Sequence, residues 1–261
     1  MIKGIEKLER NGSLDPAELI RIRYAGNDTR FNLVTVGDTV IDTVTDSYDL
    51  VNNRAQVEAI GRAADICGLP DLIVRDGFLN RSNGNSYFRF RLDDGGWMVP
   101  GDPSKNFTEL HAWNNYAGRG RYGVGGGEER EICTNGMRAF VITEEIAKIH
   151  KGEEEIDEWA LEAVSIFAGK MHVMRTLAEV AAASDWSPTR SGDALIKRAA
   201  PRYRDKLAEA VKRYTHEVGF NGWAAINAVT EIATHEMGDT VTAKKWSDAA
   251  IESVLADIGQ T

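Results

Sequence analysis

Residues 111–142 read HAWNNYAGRGRYGVGGGEEREICTNGMRAFVI. The stretch holds the densest glycine of the chain, two arginines set among aromatics and amides, and an Asn135-Gly136 pair. Asn-Gly suits a two-residue type I′ turn, because both turn positions need positive φ. Arg130–Thr134 and Met137–Ile142 are therefore expected as the arms of a tight hairpin. Residues N-terminal to the stretch alternate like strands, and those C-terminal to it are periodic like helices. The segment thus reads as the centre of a sheet and as the seam between a strand-rich part, residues 1–142, and a helical part, residues 143–261. The expected fold is α+β, a hairpin-rich antiparallel sheet in the N-terminal half with a helical C-terminal half packed on it, working as one domain.

Moving upstream, Ser86–Leu92 (SYFRFRL) alternates strictly. Phe88 and Phe90 fall on one face and Tyr87, Arg89 and Arg91 on the other, giving a face with one aromatic, two cations and no acid inside the run. Asp71–Leu79 is a second strand, joined to it by a hairpin loop over Asn80–Asn85. Phe31–Val44 predicts strands turning at Gly37-Asp38, and Phe107–Tyr116 is extended. A loop spans Asp93–Lys105. Asp46–Gly68 has helical spacing through Val51, Val57, Ile60, Ala64 and Cys67, with Gly68-Leu69-Pro70 as a stop. Asp15 as N-cap and Pro16 at the first helical position predict a short helix over residues 13–23.

Downstream, Thr143-Glu144-Glu145 resembles an N-cap with first-turn acids and predicts a helix through His150, ended at Gly152. Glu153–Ser184 is the longest helical stretch, with Trp159, Val164, Phe167 and Met171 in register. After a break at Ser184–Pro188, further helices are expected over Asp193–Ala199, Arg202–Val218, Trp223–Glu236 and Thr242–Ile258.

A net charge of -9 and a pI near 5.2 argue against a generally cationic nucleic-acid glove or membrane-surface binder, while leaving room for a local basic groove. Two cysteines make no disulfide framework, and the start MIKGIEKLERNGS lacks the apolar run of a signal peptide. Nothing approaches the roughly 20 consecutive apolar residues that span a bilayer. These features predict a soluble protein of a reducing compartment, without membrane partners and cytoplasmic, in the host cytoplasm if viral.

The candidate chemistries are thin. Cys133 with His150 or His111 as base would need a depressed thiol pKa and an exposed, electropositive position, whereas an alternating strand favours a packed core cysteine. Cys67 lies on an apolar helical stripe and reads as a small buried hydrophobe. Glu231 and His235 share a helical face, with His216 on the preceding helix, but lack a metal-binding signature. Gly125-Gly126-Gly127 is followed by Glu128-Glu129, whose charge repels a phosphate. No catalytic residue, metal or cofactor is expected. The constructive signal pairs Arg89 and Arg91 with Tyr116, Arg119, Arg121 and Tyr122 in the glycine-rich segment. Cations along a backbone and rings against bases are what hold single strands, although Glu128, Glu129 and Glu131 stand close enough to neutralise the arginines.

Three passages carry a family likeness. Val44–Asn53 (VTDSYDLVNN), Arg130–Met137 (REICTNGM) and Asn221–Glu231 (NGWAAINAVTE) with His235 are similar to ordered blocks of the phage- and plasmid-encoded proteins grouped as domain of unknown function 932. Ile149-His150 matches a histidine that follows the hairpin there, and the chain departs around the glycine run Gly123–Gly127. The resemblance implies a mobile-element protein and supplies no activity. Together with the arginine and aromatic cluster, it leads to the expectation of a non-catalytic, homo-oligomeric nucleic-acid-binding protein, with single-stranded DNA binding or annealing foremost. The competing reading is a structural or host-interaction assembly protein that binds no nucleic acid.

Overall fold

The computed structural model describes residues 1–118, 120–131, 138–150, 155–186, 192–237 and 240–258. The first half runs β1 (Ile2–Lys3), α1 (Ile5–Arg10), β2 (Ala17–Tyr24), β3 (Asn27–Val36), β4 (Thr39–Thr45), α2 (Asn53–Ile66), β5 (Leu72–Asn80), β6 (Asn85–Leu92), β7 (Trp97–Met98), β8 (Lys105–Asn115) and β9 (Arg121–Glu131). The second half runs β10 (Arg138–Ile149), α3 (Ile156–Ala183), α4 (Asp193–Arg198), α5 (Pro201–Val218), α6 (Gly222–His235) and α7 (Thr240–Ile258). The fold class is α+β, with antiparallel sheets in the first half and helices in the second. Contacts divide the chain into two units: Met1–Gly95, Thr108–Gly126 and Thr143–Lys170 form one, and Gly96–Phe107, Gly127–Ile142 and Met171–Thr261 the other.

A seven-stranded sheet follows the order β1-β5-β6-β8-β9-β10, with β7 paired to β8. Its β5–β6 and β6–β8 ladders are antiparallel, and the short β1 pairs with β5 in parallel. The period-two pattern of Ser86–Leu92 is realised, since Ser86, Phe88, Phe90 and Leu92 are buried and the residues between them are not. Gly84 closes the β5–β6 turn at φ +70, a conformation that a side chain resists, and an added Cβ would meet the Tyr116 backbone nitrogen at 3.2 Å. In the first unit a smaller sheet, β2-β3-β4, packs Val34, Val36 and Val44 against Tyr48 and Tyr116. Helix α2 contributes Val57, Ala59, Ile60 and Ala63, all buried.

Two expected helices are strands. Residues 17–24 pair with β3 instead of coiling, and Asp15 forms an ion pair with Arg81 rather than capping a helix. Leu19, Ile20 and Ile22 fit a pleated surface, and the neighbouring strand overrides a weak start signal. Thr143–Ile149, expected to be helical from Thr143-Glu144-Glu145, belongs to β10, whose neighbour in the sheet is β9. The Asn135-Gly136 turn itself lies outside the described residues.

The second unit contains a buried ionic network. Asp102 accepts from Arg130 Nε and Nη2, each at 2.7 Å, from Trp223 Nε1 at 2.7 Å and from the Ser104 backbone nitrogen at 2.8 Å. Arg130 also reaches Glu217 at 2.7 Å, with its guanidinium 5.2 Å from the Tyr214 ring centroid. Burial alone would lower the Arg130 pKa, and the Asp102 and Glu217 carboxylates more than reverse it, so the pKa is raised. Around this network α5, α6 and α7 bury Leu207, Tyr214, Ala224, Val229 and Val254. Asn221 caps α6, its side chain accepting from the Ala224 backbone nitrogen at 3.0 Å. Among the described residues no helix is long and apolar enough to cross a membrane.

Candidate nucleic-acid interface

Strands β5, β6 and β8 present two unlike faces. On the inner one, Ser86 donates to Asn53 at the start of α2 (2.8 Å), and Gly77 leaves room for Leu8 and Phe88. On the outer one, directly opposed residues form rungs, because paired positions of an antiparallel ladder point the same way. Phe78, Tyr87 and Trp113 make the first rung and Asp76, Arg89 and His111 the second. Arg91 and Glu109 stand opposite each other in the third.

Two of the three rings of the first rung are close. Phe78 and Tyr87 stack with centroids 6.2 Å apart, and Tyr87 meets His111 edge-on at 5.3 Å while its hydroxyl hydrogen-bonds His111 Nδ1. Phe78 is 54% exposed, and Tyr87 and Trp113 are half-buried. Trp113 needs the glycine run beside it: a Cβ on Gly123 would collide with its ring and lie 3.0 Å from the Ile146 carbonyl. Glycine on β9 therefore makes the space into which the β8 indole extends.

Charge on this face cancels. Arg89 pairs with Asp76 at 2.8 Å and stands 3.6 Å from Glu109, and Arg91 reaches Glu109 at 3.4 Å. Glu109 is fully buried, with His111 Nε2 at 3.6 Å as a further neighbour. Two guanidiniums thus meet two carboxylates supplied by the flanking strands. The arrangement offers rings and hydrogen-bond donors without net positive charge.

The six expected binding residues do not gather at one place. Arg89 and Arg91 lie on the outer sheet face. Tyr116 is fully buried, its oxygen accepting from the Asn53 backbone nitrogen at 2.9 Å, and burial raises its pKa. Tyr122 is buried too, its ring 4.7 Å from Trp159 and 5.2 Å from His150. Neither tyrosine can offer a base its ring. Arg121 is exposed and lines a basin of about 680 Å³ with Asp42, Ser47, Tyr48 and His150, and Arg119 lies outside the described residues. Phe78 and Trp113 were missed as members of a surface, and His111 as the buried partner of Tyr87, since only strand register brings them beside that ring.

His150 is committed to the scaffold. Its Nε2 lies 2.8 Å from Asn114 Oδ1, its Nδ1 lies 3.2 Å from both the Val51 backbone nitrogen and the Asp49 carbonyl, and its ring stacks on Tyr48 at 5.1 Å. Burial lowers the pKa of this imidazole. A base so engaged has no nitrogen left for a thiol, and Cys133 lies outside the described residues. Cys67 caps the end of α2, half-buried, with its sulfur 3.3 Å from Ser165 Oγ. Glu231 is engaged by Arg213 and by the Tyr214 hydroxyl at 2.8 Å, so it is spent within the protein rather than held for a metal with His235. No group of three metal-ligating side chains occurs among the described residues.

Tyr48 stacks on His150 in the first unit, and Arg130 and Trp223 share Asp102 in the second. No family model, curated protein or solved structure matches the chain.

Proposed function

We propose that the protein binds single-stranded nucleic acid without catalysis, laying bases on the rings of the outer β5–β6–β8 face. The observation that carries this reading is the rung Phe78–Tyr87–Trp113, aromatic on three adjacent strands, with Arg89 on the next rung. An exposed ring on a rigid sheet stacks on any base, and stacking contributes about 1–3 kcal/mol per base. The arginines act here as hydrogen-bond donors to base edges and sugar–phosphate oxygens, since their charge is balanced within the protein. A role for a self-associating protein on the single strands of a phage or plasmid accords with the family likeness.

The test is a titration of short labelled single and double strands at several salt concentrations, with wild type and Phe78→Ala. Phe78 is exposed, so its removal leaves the fold intact, and the expected loss is about 1–3 kcal/mol of affinity, roughly fivefold to more than a hundredfold. Two balanced guanidiniums predict a log–log salt slope no steeper than about -1.4, from about 0.7 per phosphate contacted on a single strand. Absence of saturable binding, or equal affinity in the variant, would end this reading.

An assembly role is favoured by a different surface. On β2-β3-β4 the side away from Tyr48 carries Ile20, Phe31 and Val40, which are 48%, 37% and 53% exposed. Self-association that persists without any oligonucleotide shift would select that alternative.

A further inference from the structure

The second unit contains a hollow unrelated to the sheet face. It encloses about 520 Å³ between Ile196 of α4, the α5 residues Ala208, Val211, Lys212, Thr215 and His216, and Phe220 just beyond α5. The α5 residues lie three or four apart and so share one side of the helix. Val211 and Thr215 are buried, and the Thr215 hydroxyl donates to the Val211 carbonyl at 2.6 Å, which leaves an apolar floor. Phe220 is 70% exposed at the rim, a large ring left in water.

Two groups break the apolar lining. Lys212 and His216 stand one turn apart, both exposed, and among the described residues neither has a hydrogen bond or ion pair. Other cations of the same helix are engaged: Lys206 with Glu236, Arg213 with Glu231, and Arg204 with the carbonyls of Lys197 and Ala199. An unpaired ammonium beside apolar walls is charge-complementary to a ligand with an anionic head and an apolar body. An inorganic anion would leave the walls wet, and a neutral hydrocarbon would leave the ammonium unused. The volume lies within the range of small-molecule sites, about 300–1,000 Å³, and is too small for a protein segment to fill as its main interface.

We propose that this hollow binds an amphipathic monocarboxylate of medium chain length, its carboxylate at Lys212 and His216 and its chain along Val211, Ile196 and Phe220. The proposal is independent of nucleic-acid binding. Decanoate, 1-decanol and acetate are titrated, each below any micelle-forming concentration, into the isotope-labelled full chain, reading the backbone amides of Ala208–Phe220. Decanoate shifts them saturably, acetate does not, and Lys212→Met, which keeps most of the stem, weakens decanoate about fivefold or more. Decanol binds wild type about as weakly as decanoate binds the variant. Saturable shifts absent, shifts confined elsewhere, or decanol equal to decanoate on wild type overturns the proposal, and the last comparison needs no variant to fold.

Discussion

Arg130 and His150 show how single side chains set stability in opposite ways. Arg130 is a buried cation held by a bidentate carboxylate and a second acid, so removing it strands Asp102 and part of Glu217 in an apolar interior. Breaking such a pair from one side costs about 3–5 kcal/mol, more than the pair itself contributes, because a charge is left uncompensated. Arg130→Met is expected to lose that much in urea unfolding, monitored by near-ultraviolet circular dichroism. His150 works through its proton. Its folded pKa lies below its unfolded value near 6.5, so the unfolded chain binds the extra proton first. This contribution is fully present above about pH 6.5 and is lost as pH falls toward the folded pKa. His150→Gln should flatten that part of the stability curve. A wild-type curve no steeper than the variant's between about pH 6.5 and 5 would contradict the assignment.

At the level of elements, glycine is where packing is decided. Gly126 in β9 faces Phe167 of α3, and a Cβ there would collide with that ring and approach the Glu109 carbonyl to 2.7 Å. Gly126→Ala is expected to destabilise by about 1–3 kcal/mol, the usual cost of overpacking. Gly169, inside α3, has nothing within 4 Å of the same added atom, and Gly169→Ala should stabilise by about 0.5–1 kcal/mol through helix propensity. Thermal melts of the two variants should therefore move in opposite directions. Helices α5 and α6 were legible in the sequence almost to the residue, because Pro201 at a first turn and Asn221 before Gly222 are local signals. Strand β5 was legible as a strand but not in its facing. Strict alternation puts Val74, Asp76 and Phe78 on one face, whereas an irregularity between Val74 and Asp76 turns the latter two to the opposite side. The acids that neutralise Arg89 and Arg91 were hidden for a related reason: they come from neighbouring strands, and no pattern inside Ser86–Leu92 announces them.

For the whole molecule, the net charge of -9 and the internal pairing of arginines point the same way. On the proposed single-strand-binding reading, long-range attraction of a polyanion would be weak, contact would depend on short-range stacking, and association should be slow relative to that of basic single-strand binders. Composition made that visible from the start. What it concealed was which aromatics reach the surface, since Tyr116 and Tyr122, set in a glycine-rich polar stretch, hold the interior together, while Phe78 from an apolar strand stands outside. The interleaving of the two units along the chain has a consequence for genetics. A fragment ending at Lys170 keeps every segment of the first unit, yet it carries Asp102 and Arg130 without Glu217 or Trp223. The complementary piece from Met171 inherits the tryptophan and lacks both halves of the ion pair it serves. Because each unit takes segments from both sides of the other's, no single junction along the chain leaves both units whole, and a recombinant with one crossover must draw at least one unit from two parents.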